Sequence, residues 1–217
     1  MNDSGSIEHP QSPMASDCPP RGVLGVANAG VKTGQLIVFT GPSGVGKGTL
    51  LKALRQQHPQ LRLSISATTR LPRAKEIHGK DYYFMDRSQF EHSVARGEFL
   101  EWAEFAGNCY GTPRATVEEQ IRQGHSIVLE IELEGAKQVR SSFPEAFSIF
   151  ILPPTLEELE HRLRSRASDS EAAIVRRLER ATDEIAAASE FDLQVVNDEL
   201  EAALTQLEVA LFPKQSL

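Results

Sequence analysis

Cysteine is scarce in this chain of 217 residues: Cys18 and Cys109 are the only two, 91 positions apart. That spacing makes neither a disulfide framework nor a metal-ligand pair, so a reducing compartment, the cytoplasm, is the default expectation. The six histidines (His9, His58, His78, His92, His125, His161) are scattered and show no ligand spacing. There is no basic excess. Lys and Arg total 23 against 30 Asp and Glu, a formal net charge of −7, which argues against a general nucleic-acid binder. Small anionic ligands remain open, because they answer to local charge. No apolar run approaches the roughly 18–20 residues of a membrane span. Trp102 is the single tryptophan, and beside Glu101 it reads as a packing residue rather than a stacking platform. The N-terminus has no basic start followed by an apolar core, so it is not a secretory signal. Its cations, Arg21 and Lys32, are outnumbered by Asp3, Glu8 and Asp17, which makes it a poor organelle-targeting peptide.

What is present is 40% hydrophobic and 24% charged residues, the balance of an ordinary soluble globular protein. The length suits one domain with an insertion. Residues 1–34 hold 5 of the 15 Gly and 4 of the 12 Pro with no sustained apolar period, and read as a disordered tail. From Gln35 the texture changes. Leu36–Thr40 (LIVFT), Ser126–Leu129, Ser148–Leu152 and Leu193–Val196 are short apolar runs expected as buried strands. Helical patterns follow at Leu50, Leu51 and Leu54, then over Thr112–Gln123, Thr155–Arg166, Glu171–Ala188 and Leu200–Leu211. Strands alternating with helices imply an α/β fold: a parallel sheet flanked by helices on both faces. Ser64–Phe105 carries shorter alternating segments and several turns, and reads as an inserted β-rich subdomain.

The first strand runs into Gly41-Pro42-Ser43-Gly44-Val45-Gly46-Lys47-Gly48-Thr49. This is GxxxxGK in the strand–loop–helix context that a phosphate-binding loop (P-loop) needs. The glycines let successive N–H groups point at phosphate oxygens, and the helix N-terminus faces the same anion. Lys47 adds a point charge for the β- and γ-phosphates of a bound nucleotide. The strict motif has Ser or Thr directly after the lysine, to touch Mg²⁺. Here Gly48 stands there and Thr49 comes one later, so no direct protein ligand for the metal is expected beyond a role for Thr49. Mg²⁺ would be held mainly by phosphates and water.

The next segment, SISATTRLPR, places Arg70 and Arg73 around a proline, a spacing that suits bidentate capture of a phosphate. HGKDYYF, EFLEWAEF and GNCYGTP follow. Taken with SxSxTTRxPR, GKDY, EFLEWAEFxGNxYGT and VVND near the end, the chain over Gln35–Leu211 resembles the guanylate kinases, which phosphorylate GMP with ATP. The resemblance assigns Arg70, Arg73, Tyr82 and Tyr110 to the GMP phosphate, and Ser66, Glu101 and Thr112 to the guanine. A carboxylate suits guanine because it accepts from both N1–H and the exocyclic amine, a paired edge that adenine lacks. Glu130 and Glu132 stand where the family pattern has Asp-x-Asp, in guanine or ribose contact or near metal-bound water. Asn197, in VVND, resembles a position near the adenine of ATP.

Between two helical patterns, residues 162–180 carry a local net charge of +3. The resemblance makes this a helical lid and assigns Arg166 and Arg177 to the transferring phosphoryl group, which needs positioning and charge neutralisation more than covalent chemistry. Arg164, Arg176 and Arg180 read as solvated helix surface. The expectation is thus a P-loop core within 35–217, a GMP-binding insertion at about 66–113 and a lid at about 154–188, with Lys47, Arg70, Arg166 and Arg177 as catalytic residues. The substrates implied are the small molecules ATP and GMP, with no nucleic acid and no membrane. Two rival readings remain at this stage: a kinase of the same fold acting on AMP, dTMP or a phosphorylated sugar, and a non-catalytic module that binds phosphopeptides. Ser66, Glu101 and Thr112 weigh against the first, and Lys47 with the lid arginines against the second.

Overall fold

Strand β1 (Leu36–Thr40) is buried at all five positions. A strand buried on both faces has no side to give to water, so it belongs inside a parallel sheet covered by helices. In the computed structural model, which describes residues 34–105, 107–165 and 170–213, that is where it lies. The chain continues through α1 (Lys47–Gln57), β2 (Arg62–Leu63), β3 (Ala67–Thr68), β4 (Tyr83–Phe84), α2 (Arg87–Ala95), β5 (Phe99–Phe105) and β6 (Asn108–Pro113). Then come α3 (Arg114–Arg122), β7 (Ile127–Glu130), α4 (Leu133–Ser142), β8 (Phe147–Leu152), α5 (Leu156–Ser165), α6 (Glu171–Ala186), β9 (Leu193–Val196) and α7 (Leu200–Leu211). The expected tail, 1–34, lies outside the described residues except for Gly34, and so does Arg166.

Five parallel strands form the main sheet in the order β2-β7-β1-β8-β9. Alternation along β1 divides the core. Ile37 and Phe39 pack with Leu50 and Leu54 of α1, Leu159 and Leu163 of α5, and Leu204 and Leu207 of α7. Leu36 and Val38 pack on the opposite face with Val117 of α3 and Ala136 and Val139 of α4. Each fully buried Leu or Phe contributes about 1.5–3 kcal/mol relative to exposure, so this double-sided core fixes β1 and the loop that follows it. The chain leaves β1 toward one edge of the sheet and β8 toward the other. Ligands of open α/β sheets bind at such a point, beyond the carboxyl ends of the strands.

The second sheet has the order β4-β3-β6-β5, with β3/β6 and β5/β6 antiparallel. Helix α2 covers it. Phe90 is fully buried and stacks on Phe99 with ring centres 4.5 Å apart. A capping box starts α2: Gln89 N–H donates to Asp86 Oδ1 (2.8 Å) and Asp86 N–H to Gln89 Oε1 (3.1 Å). Helices α2 and α4 depart from the sequence expectation, which had no element at either place. Phe90 is the one buried side chain of α2, too little for a visible period. The helix expected from Thr112 starts at Arg114, because Thr112 and Pro113 complete β6.

Candidate active site

The phosphate loop leaves β1 at Thr40 and enters α1 at Lys47. Gly44 and Gly46 adopt φ of 91° and 100°, left-handed values that a side chain disfavours. Space is short as well: a Cβ at Gly46 would lie 2.5 Å from Asn197 Nδ2, and one at Gly44 2.7 Å from Leu163 Cδ2. Val45 is fully buried between them. The Lys47 ammonium donates to the Gly41 carbonyl (2.5 Å) and the Pro42 carbonyl (3.1 Å), so its charge is folded back over the loop. Asn197 is buried. It donates its amide to the Val45 carbonyl across 2.8 Å, while Arg162 reaches the Asn197 carbonyl at 3.0 Å. In this structure the Asn197 side chain braces the phosphate loop.

Beyond the loop opens a cleft of about 910 Å³. One wall is the loop itself, from Gly41 through Thr49; the others are Tyr82, Phe105, Glu130 and Glu132, and Ala173, Arg176, Arg177, Arg180 and Glu184 of α6. Arg177 donates to the Ser43 hydroxyl at 3.4 Å. Arg180 donates to Glu184 Oε1 at 2.8 Å and also pairs with Glu132. Arg176 and Arg180 are exposed, and Arg180 carries charge pairs, as a solvated helix surface requires; that surface also lines the cleft. Glu184, one helical turn beyond Arg180, is buried. Arg164 also sits on the surface, paired with Glu160 and Glu171. Burial pushes the Glu184 carboxyl above its ordinary value, and the Arg180 charge opposes that.

The expected acceptor residues lie on and around the second sheet. The Arg70 guanidinium stands 5.4 Å from the centre of the Tyr82 ring, and Tyr82 and Tyr110 meet edge to face at 6.2 Å. Glu76, which the sequence reading passed over, organises this group. It accepts two hydrogen bonds from Arg70, at 2.9 and 3.0 Å, and one from the Arg73 N–H at 2.7 Å. The Arg70 fork holds the Glu76 carboxyl below its usual range. A phosphate presents the same oxygen geometry to that fork.

Glu101 on β5 and Thr112 on β6 form a buried pair: Thr112 Oγ1 donates to Glu101 Oε1 across 2.6 Å. Burial pushes the Glu101 carboxyl up, and Thr112 partly counters it. Ser66 enters β3, its carbonyl accepting from Tyr83 N–H at 2.9 Å. Of the described residues, Ser66, Arg70, Arg73, Glu101, Tyr110 and Thr112 stand outside the lining of the main cleft. No group of three or more His, Cys, Asp or Glu side chains among the described residues could hold a metal ion. Also among them, no helix is long and apolar enough to cross a membrane.

A parallel sheet, a lysine-bearing phosphate loop at the carboxyl end of its central strand, and an arginine-lined cleft facing that loop define a P-loop phosphotransferase. The guanylate kinase family model matches residues 33–214. A guanylate kinase of Trichormus variabilis is 65% identical over 180 residues, covering 83% of this chain and 90% of that protein. One from Thermosynechococcus vestitus is 62% identical over 187 residues, covering 86% and 98%. The crystal structure of guanylate kinase from Anaplasma phagocytophilum superposes with a TM-score of 0.65 at 33% identity, covering 86% of this chain and 89% of that one. The chain belongs to the guanylate kinase family.

Proposed function

We propose that the cleft beside the phosphate loop carries phosphoryl transfer from ATP to GMP, giving ADP and GDP. The observation that supports this site most directly is that one cleft joins the loop around Lys47 to Tyr82, Glu130 and Glu132 on its far walls, with Arg176, Arg177 and Arg180 between. Donor and acceptor phosphates can meet there. A GMP phosphate oxygen attacks the γ-phosphorus, and the bond from that phosphorus to the β–γ bridging oxygen breaks, releasing ADP. The attacking phosphate is already an anion at neutral pH, so no general base is needed. The work is positioning and charge neutralisation.

In this reading Gly41 to Thr49 cradle the ATP phosphates and Lys47 follows the moving group. Arg177 adds charge from α6; Arg166, assigned the same work by resemblance, lies outside the described residues. Arg70, Arg73, Tyr82 and Tyr110 take the GMP phosphate, with Arg70 exchanging Glu76 for it. Ser66, Glu101 and Thr112 take the guanine, and Glu130 and Glu132 the ribose side or metal-bound water. We assign Asn197 to bracing the loop beside the adenine site. The core, the insertion at about 66–113 and the lid at about 154–188 would close on one another around the substrates.

Mg²⁺ accompanies ATP in this proposal. A Cβ at Gly48 would stand 3.6 Å from Glu130 Oε1, so the Glu130 carboxylate lies beside the loop. Glu130 and the Thr49 hydroxyl suit a Mg²⁺ that keeps its waters and phosphate ligands. When bound, the ion would supply positive charge to the phosphates of ATP. A cytoplasmic location fits the free, buried thiol of Cys109. An ADP-release assay across GMP, AMP, dTMP and UMP, with and without Mg²⁺, tests the whole reading. Turnover with GMP alone is expected, and turnover with another acceptor but none with GMP would overturn it.

A further inference from the structure

Gly135 sits in the first turn of α4 and is buried. Glycine weakens a helix, so its presence inside one calls for a packing reason. The reason is visible. A Cβ at Gly135 would stand 2.9 Å from Glu101 Oε2, 3.5 Å from Glu101 Cδ and 3.5 Å from Ile131 Cβ. Two of those three nearest atoms belong to one carboxylate, and the shortest contact is closer than such atoms pack. The other oxygen of the same carboxylate is already committed to Thr112 at 2.6 Å. Glu101 is thus held from two sides: a hydroxyl attracts one oxygen, and the bare Cα of Gly135 leaves room for the other.

We infer that Gly135 is a specificity-positioning residue, whose missing side chain sets where the Glu101 carboxylate stands and so sets the selection for guanine. The inference rests on the reading of Glu101 as the guanine partner. A methyl group at 135 meets the end of a side chain rather than backbone, so the carboxylate gives way and the helix does not. The cost then appears in base recognition. Guanine presents N1–H and an exocyclic amine, whereas the hypoxanthine of IMP presents N1–H alone. A displaced carboxylate loses the geometry for both donors at once, and the preference for GMP over IMP shrinks.

The test compares wild type, Gly135→Ala, Glu101→Gln, Glu101→Asp and the double variant Gly135→Ala/Glu101→Asp, with GMP and with IMP. Gly135→Ala is expected to melt cooperatively and to raise KM for GMP about tenfold, the loss of one good polar contact. Its kcat and KM for ATP should stay within a factor of about three, and its GMP/IMP ratio of kcat/KM should fall. In the Glu101→Asp background, where the shorter side chain clears the site, adding Gly135→Ala should change KM for GMP less than it does in wild type. Equal changes in both backgrounds, an unchanged GMP/IMP ratio, or a Gly135→Ala protein that does not fold would each overturn the inference. If Glu101→Gln itself leaves KM for GMP unmoved, the underlying reading of Glu101 fails instead, and that outcome is distinct from the others.

Discussion

Thr112 donates its hydroxyl to the Glu101 carboxylate across 2.6 Å, with both residues buried between neighbouring strands of the second sheet. The pair keeps a carboxylate in a poorly hydrated place, where the proposed reading puts the two donors of guanine. Burial raises the Glu101 carboxyl above its ordinary value of 4.5. Between that value and the higher folded one, the folded state binds more protons than the unfolded state. Stability therefore falls as pH rises through that window, and the cost of the ionised carboxylate is fully present above it. Glu101→Gln should raise the melting temperature at neutral pH, and the gap to wild type should close on acidification. The same variant should lose GMP affinity. Melts across pH beside KM for GMP check both; a variant less stable than wild type at neutral pH contradicts the argument. In wild type, KM for GMP should worsen on acidification earlier than titration of an ordinary carboxylate would require.

Asn197 ties β9 to the phosphate loop. Its main-chain N–H donates to the Leu152 carbonyl and its amide to the Val45 carbonyl, both at 2.8 Å. Replacing the amide by a methyl group leaves the Val45 carbonyl with a long contact to Arg162 at 3.4 Å. Asn197→Ala should cost about 1–3 kcal/mol, the penalty for a buried polar group left short of a partner. KM for ATP should rise with KM for GMP unchanged. Denaturant melts of the free protein separate this from a contact made only to adenine, which would leave its stability unmoved.

The parts of the molecule legible in the sequence were those with dense local signals. LIVFT, apolar at its first four positions, announced the central strand, and Leu200, Leu204, Leu207 and Leu211 announced α7. The loop from Gly41 to Lys47 carried its chemistry in its spacing. Helix α2 was hidden because Phe90 is its one buried side chain. Arg176 and Arg180 read correctly as exposed helix surface, but that this surface also lines the cleft depends on tertiary placement. Glu76 and Gly135 were hidden for another reason: their roles lie in what stands opposite them, an arginine fork and a carboxylate, and no local pattern encodes that.

Lys47 bends back onto the Gly41 and Pro42 carbonyls. Its charge is thus held at the loop, where the proposed reading places the moving phosphoryl group. Lys47→Ala should lower kcat about 10²–10³-fold, the scale of losing one preorganised charge at a transition state. The fold should survive, because the core packs on Leu50, Leu51 and Leu54 rather than on this side chain. Single-turnover rates beside a far-ultraviolet spectrum distinguish lost chemistry from lost structure. A variant within about tenfold of wild type would remove Lys47 from the mechanism.

Arg180 joins two carboxylates, donating to Glu184 on its own helix at 2.8 Å and pairing with Glu132 at the start of α4. Glu184 is the buried member, with its side chain 10% exposed against 53% for Arg180. Burial already raises the Glu184 carboxyl, and Arg180 is the first charge opposing that rise. Arg180→Gln removes the opposition, so the carboxyl should rise further. The folded state then binds more protons than the unfolded state over a wider range above the ordinary carboxylate value. The variant's deficit should therefore be largest at neutral pH and shrink on acidification. A loss of about 1–2 kcal/mol is expected, between the ~0–1 of a surface pair and the ~3–5 of a fully buried one. Adding Glu184→Gln should return most of it at neutral pH, because the uncompensated charge is gone. If the double variant is no more stable than Arg180→Gln, the deficit arises at Glu132, and Glu184 is excluded as its source.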